Sequence, residues 1–86
     1  MKQNETIRLY LEFPAVQQCH EIILPSSRSL NDCIPLLNSL LRDFFQQCYQ
    51  LEAETIFLEA LSGIQISRTV TLARQNLRDG MRLIVY

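Results

Sequence analysis

Tryptophan is missing from this 86-residue chain, histidine and lysine occur once each, and glycine only twice. Each scarcity removes a class of chemistry. With Gly63 and Gly80 alone, no glycine-rich loop exists to cradle a phosphate on backbone N–H groups. His20 stands beside Glu21 in an extended run, where adjacent side chains point to opposite faces, so the two cannot form an acid–base dyad. Cys19, Cys33 and Cys48 show no CxxC and no histidine pair, whereas zinc needs clustered ligands. Asp32, Asp43, Glu52, Glu54 and Glu59 lack paired-carboxylate or calcium-loop spacing. The expectation is a chain without catalytic residues, metal or cofactor, whose odd cysteine count reads as free, mostly buried thiols in a reducing compartment.

Charge is also in short supply. Lys plus Arg total 8 against 9 for Asp plus Glu, a formal net charge of -1, so no global field draws the chain to nucleic acid or to an anionic membrane. No run approaches the roughly 18 to 20 apolar residues of a membrane span, and the opening MKQNETIRLYLEF has no secretory h-region. A cytoplasmic chain that does not insert into membranes is expected. Lys2 is the single lysine, and the other seven bases are all arginine. The planar guanidinium suits a protein-contacting surface; codon usage would give the same count.

What is present is hydrophobic residues, 48% of the chain, and they are patterned. A chain of this size removes only roughly 60 to 65% of its unfolded surface from water, so one dense core is required and one domain, 1–86, is expected. Residues 6–13 alternate strictly: Ile7, Leu9, Leu11 and Phe13 on one face, Arg8, Tyr10 and Glu12 on the other, the period of a strand buried on one side. Pro14 stops it, and residues 18–24, closed by Pro25, give a second strand that should return as a hairpin. Ile22, Ile23 and Leu24 leave its phase ambiguous; Ile22 and Leu24 are expected inward.

Beyond Ser26-Ser27-Arg28-Ser29 the period lengthens. Leu30, Cys33/Ile34, Leu37, Leu40/Leu41, Phe44 and Cys48 recur every three to four residues, the stripe of one long helix. Pro35 is awkward there. A kinked first turn after Ser29, or a later start capped by Asp32, would accommodate it. Residues 55–61 form a third extended run, with Ile56, Leu58 and Ala60 opposite Phe57, Glu59 and Leu61. Ser62-Gly63 then turns the chain, 64–66 is a short strand, and 68–74 is an irregular crossing that carries Val70 and Leu72 inward. Asp79-Gly80 is a turn pair leading to a last strand with Met81, Leu83 and Val85 on one side and Arg82, Ile84 and Tyr86 on the other.

Hairpin, helix, strand, short strand, strand is the order of an α+β domain with a mixed sheet of four to five strands and one helix across one face. With LPSSRSLNDCIPLL between hairpin and helix and RTVTLARQNLRDGMRLIVY at the end, the whole chain resembles the ubiquitin-like β-grasp. The C-terminal block carries most of the likeness: Arg68-Thr69-Val70, Leu77 three before Gly80, and an apolar closing strand. That strand is expected to lie centrally, beside the first, because its ladder bonds must be satisfied on both sides.

The sequence stops at Tyr86, without the Gly-Gly tail that ubiquitin-like modifiers and the sulfur carriers of thiamin and molybdopterin synthesis use. The expectation is therefore a chain that is not conjugated to targets, with the sulfur-carrier or modifier role, or a separately encoded domain of a larger assembly, as alternatives. In length and layout it resembles the YukD/EsaB-like small proteins of type VII secretion systems, which implies an accessory role beside a membrane secretion machine and no catalytic residues to carry over.

Function is then expected on the surface. The apolar candidates for exposure are Tyr10, Ile23, Leu36, Phe45, Tyr49, Phe57, Leu61, Ile84 and Tyr86. Strand phase gathers Arg8, Tyr10, Phe57, Arg82, Ile84 and Tyr86 on the helix-free face as a protein-binding patch of the composition interface centres favour. Its expected partner is a secretion-machine component or a second copy of the chain. The bland alternative is that these residues are scattered and individually harmless. Leu36, Phe45 and Tyr49 would form a second group on the helix flank, or pack under residues 50–54.

Overall fold

The computed structural model describes residues 5–44 and 51–86, with the side chain of Phe44 also outside what it describes. Strand β1, Thr6–Phe13, follows the alternation of its sequence: Ile7, Leu9, Leu11 and Phe13 are buried, and the residues between them are not. A single 3-10 turn, Pro14–Val16, reverses the chain through Gln17, which takes a left-handed conformation (φ 56°). Strand β2, Gln18–Pro25, returns antiparallel in unbroken register from Phe13↔Gln18 to Thr6↔Pro25. Ile22 and Leu24 point inward and Ile23 outward, as expected.

Helix α1, Leu30–Phe44, lays Leu30, Cys33, Leu37 and Leu41 into the core, with Ile34 and Leu40 at its margin. The Ser29 hydroxyl accepts the Asp32 N–H at 3.2 Å, satisfying one of the orphan donors of the first turn. The helix therefore starts at Leu30, and the later start capped by Asp32 does not occur. Pro35 stays within the second turn, where it removes the bond that the Asn31 carbonyl would otherwise receive. Cys48, Phe45 and Tyr49 lie outside the described residues, so the lower part of the helical stripe and the proposed flank group with Leu36 do too.

Strand β3, Phe57–Glu59, is shorter than the 55–61 run, and its phase is the reverse of the sequence expectation. Phe57 is 0% exposed. It pairs with Val85, itself buried, and cross-strand partners share a face, so Phe57 belongs to the core and Leu58 to the opposite side. Residues 64–66 bridge to β3 through Leu58↔Gln65, with Glu59 N–H bonded to the Ile64 carbonyl at 2.8 Å and Ile66 N–H to the Phe57 carbonyl at 2.7 Å. In the crossing, a 3-10 turn at Leu72–Arg74 buries Leu72, whereas Val70, expected inward, is 40% exposed.

Strand β4, Met81–Val85, lies in the middle: the sheet order is β2-β1-β4-β3, with β4 parallel to β1 and antiparallel to β3. Two bonds dock its leading turn against β1. Gly80 donates its N–H to the Arg8 carbonyl at 2.7 Å, and the Asp79 carboxylate accepts the Arg8 N–H at 2.8 Å. Gly80 holds φ 88°, a conformation that favours glycine. One helix on one face of a mixed four-stranded sheet is the ubiquitin-like β-grasp.

Candidate protein-binding face

Three strands bring the outward side chains of the sheet together. The registers Tyr10↔Arg82, Glu12↔Ile84 and Leu58↔Ile84 set these residues side by side across β1, β4 and β3. Beyond the end of β4, Tyr86 exchanges both backbone bonds with Ile56, at 3.0 and 3.2 Å, which places these two in the next row of the same face. Ile56, Leu58, Ile84 and Tyr86 thus occupy neighbouring positions at one corner. The first three are half-buried and Tyr86 is 61% exposed.

Of the six residues assigned to this patch from the sequence, Arg8, Tyr10, Arg82, Ile84 and Tyr86 lie on the helix-free face. Phe57 does not; Leu58 takes its place. The signal that could have found Leu58 was the phase of the last strand. Once Val85 is inward, the residue beside it must be inward as well, and that residue's neighbours outward.

Charge frames the apolar corner. Arg82 is ion-paired with Glu12 across β4 and β1, and Arg8 Nε lies 3.4 Å from a Glu21 carboxylate oxygen across β1 and β2. Tyr10 sits between the two pairs, opposite both Glu21 and Arg82. Surface pairs of this kind contribute only about 0 to 1 kcal/mol each; their effect here is to hold two guanidinium groups against the sheet on either side of Tyr10. Beside them is a depression of about 320 Å³ lined by Tyr10, Cys19, Gly80 and Arg82.

The groups considered for chemistry are placed apart. Burial, with the Asp32 carboxylate adding to it and Arg28 opposing, pushes the Cys33 thiol up, the wrong direction for a nucleophile. Both described cysteines are free, Cys33 buried in the core and Cys19 exposed on β2. His20 bonds the Gln18 side chain through Nε2 at 2.7 Å. Among the described residues there is no group of three or more metal-ligating side chains, and no helix long and apolar enough to cross a membrane.

No protein-family model matches the sequence, and no curated protein matches it either. Solved structures do. The chain is similar to the ubiquitin-like domain of the Mycobacterium tuberculosis type VII secretion system protein ECCD1, with a TM-score of 0.70 and 12% identity over 94% of this chain and 97% of that one. It is similar to the EccD5 ubiquitin-like domain from Mycobacterium xenopi, with a TM-score of 0.63 and 19% identity over 95% and 93% of the two chains. A structure described as molecular mimicry of SUMO promoting DNA repair gives a TM-score of 0.76 and 12% identity over 99% and 95%. At these identities the likeness establishes that the chain has the ubiquitin-like fold.

Proposed function

We propose that this chain is a non-catalytic protein-binding module that engages its partner through the helix-free face of the sheet. The observation that carries the reading is the corner formed by Ile56, Leu58, Ile84 and Tyr86 on adjoining strands, with Tyr10 and the guanidinium groups of Arg8 and Arg82 beside it. Aromatic and arginine residues around a compact apolar centre are what protein interfaces concentrate. The rigid sheet presents them with little left to order on binding. The partner we propose is a component of a type VII secretion machine, with the chain acting in the cytoplasm as an accessory subunit that is not conjugated to targets. The support for that choice is the likeness to the ubiquitin-like domains of ECCD1 and EccD5.

Affinity-tagged chain, co-expressed with the cytoplasmic portions of a type VII inner-membrane complex from the same source, retains one of them, and Ile84→Asp weakens that retention at least about tenfold while circular dichroism stays unchanged. Retention unaffected by Ile84→Asp refutes the face. Failure of the wild-type chain to retain any of these components refutes the secretion partner.

A further inference from the structure

The two edges of the sheet are treated differently. On the β3 side the edge strand is three residues long, and its outer groups are occupied by residues 64–66 through the Ile64 carbonyl and the Ile66 N–H. On the β2 side an eight-residue strand runs in register with β1 without a bulge, and among the described residues no strand lies beyond it.

Which backbone groups face outward there follows from one rung. Ser26 N–H bonds the Glu5 carbonyl at 3.1 Å, one step beyond the pair Thr6↔Pro25. Directly bonded pairs alternate with unbonded ones in an antiparallel ladder, so Ile7↔Leu24, Leu9↔Ile22 and Leu11↔His20 are the bonded pairs. The N–H and C=O groups of Cys19, Glu21 and Ile23 therefore point away from β1. The bonds of Arg8 to Gly80 and Asp79 agree, since they turn the even-numbered backbone of β1 toward β4.

Folded proteins protect such an edge with lysine, with proline, with a bulge or by keeping the strand short. Here Glu21 is the lone formal charge of the strand, proline appears only at its end as Pro25, and Ile23 is 58% exposed. Another extended backbone can replace water along the whole row of alternating donors and acceptors at once.

We propose that β2 pairs antiparallel with β2 of a second copy of this chain. The two-fold axis passes through Ile22, so that Glu21 and Ile23 of one copy exchange bonds with Ile23 and Glu21 of the other. Cys19 donates to the Pro25 carbonyl of the second copy, which accepts the Arg28 N–H of its own chain at 3.3 Å and has a second lone pair to offer. Charge disfavours one neighbouring register and backbone conformation another. Centring on Glu21 would set like charges directly opposite, and centring on His20 would draw Gln17, which is left-handed and outside the strand, into the ladder. The Ile22 register leaves each Glu21 with its own Arg8 and covers Ile23. Because the axis is perpendicular to the sheet, both helix-free faces end on the same side of a continuous sheet, and the corner around Ile84 stays free.

Sedimentation of the full chain over rising concentration, paired with amide exchange, tests this independently of the function proposed above. The expected result is a monomer–dimer equilibrium in which the amides of Cys19, Glu21 and Ile23 become protected as dimer forms. Ile23→Pro removes an outward N–H that β1 does not use and weakens association at least about tenfold. Ile23→Lys, which keeps the ladder to β1 intact whatever the proline does, weakens it similarly, and Ile84→Asp does not. A wild-type chain still monomeric at about 1 mM, association unchanged in both Ile23 variants, or protection of these amides that appears only with an added extended peptide would each overturn self-pairing.

Discussion

The hairpin of β1 and β2 and the irregular segments that flank β3 and its partner, residues 51–55 and 67–75, are built by different means. In the hairpin, backbone bonds backbone, and the side chains only sort themselves between core and solvent. In those segments side chains carry much of the backbone, beside single backbone bonds such as that of Leu72 N–H to the Arg28 carbonyl at 2.9 Å. Arg68 donates from Nη1 to the carbonyls of Glu52, Ala53 and Thr55 at 2.8 to 3.1 Å, and from Nε to Asn31 Oδ1 at 2.9 Å. Gln75 accepts the Ser67 N–H and donates to the carbonyls of Ser67 and Val70. Asn38 on α1 accepts the Leu51 N–H at 2.8 Å. Where regular ladders are absent, backbone groups still need partners, and single long polar side chains supply several at once.

Three measurements sharpen that contrast. Leu11→Ala empties a fully buried position on a central strand and is expected to cost about 3 kcal/mol in urea unfolding, with amides slowed by the global transition accelerating together. Arg68→Met keeps the bulk of the side chain and deletes its bonds. It is expected to cost about 2 kcal/mol, with exchange at Glu52 and Thr55 accelerating beyond that in β1. A uniform acceleration instead would mean these segments and the hairpin form one cooperative unit and the contrast fails.

The smallest effect is one of pH. The Ser62 hydroxyl, with the N–H groups of Leu61 and Ser62, holds the Glu59 carboxyl below its ordinary range. A depressed folded-state value means the contribution is present above the unfolded value and is lost as pH falls through the folded one. Acidification through that window is expected to loosen the 60–63 turn in NMR spectra, and Glu59→Gln is expected to abolish that local response.

The same division explains what could be read from the sequence. Strand β1 was legible because polar residues interrupt its apolar ones at every second position, and the helix stripe because Leu30, Cys33, Leu37 and Leu41 keep a period of three to four. Ile56-Phe57-Leu58 offers no polar residue to set a phase, and only the pairing of Phe57 with Val85 decides it. Hydrophobicity alone points Val70 inward, in a segment whose path depends on the bonds of Arg68 and Gln75. Those bonds leave no periodic trace. For the candidate face, β1 and β4 are readable and β3 is not, which is why five of the six residues lie on the helix-free side of the sheet and Leu58 had to come from the structure.

Arg8 and Asp79 are 71 positions apart in sequence, yet their bond aligns the two central strands. On a ribosome the first hairpin therefore emerges long before the strand that must lie against it, and β1 has one flank bare until residues 81–85 have been made. Long-range pairing of this kind is slow to form. For a nascent chain the consequence is a waiting period with an unsheltered apolar strand, during which holdase chaperones have their opportunity to bind.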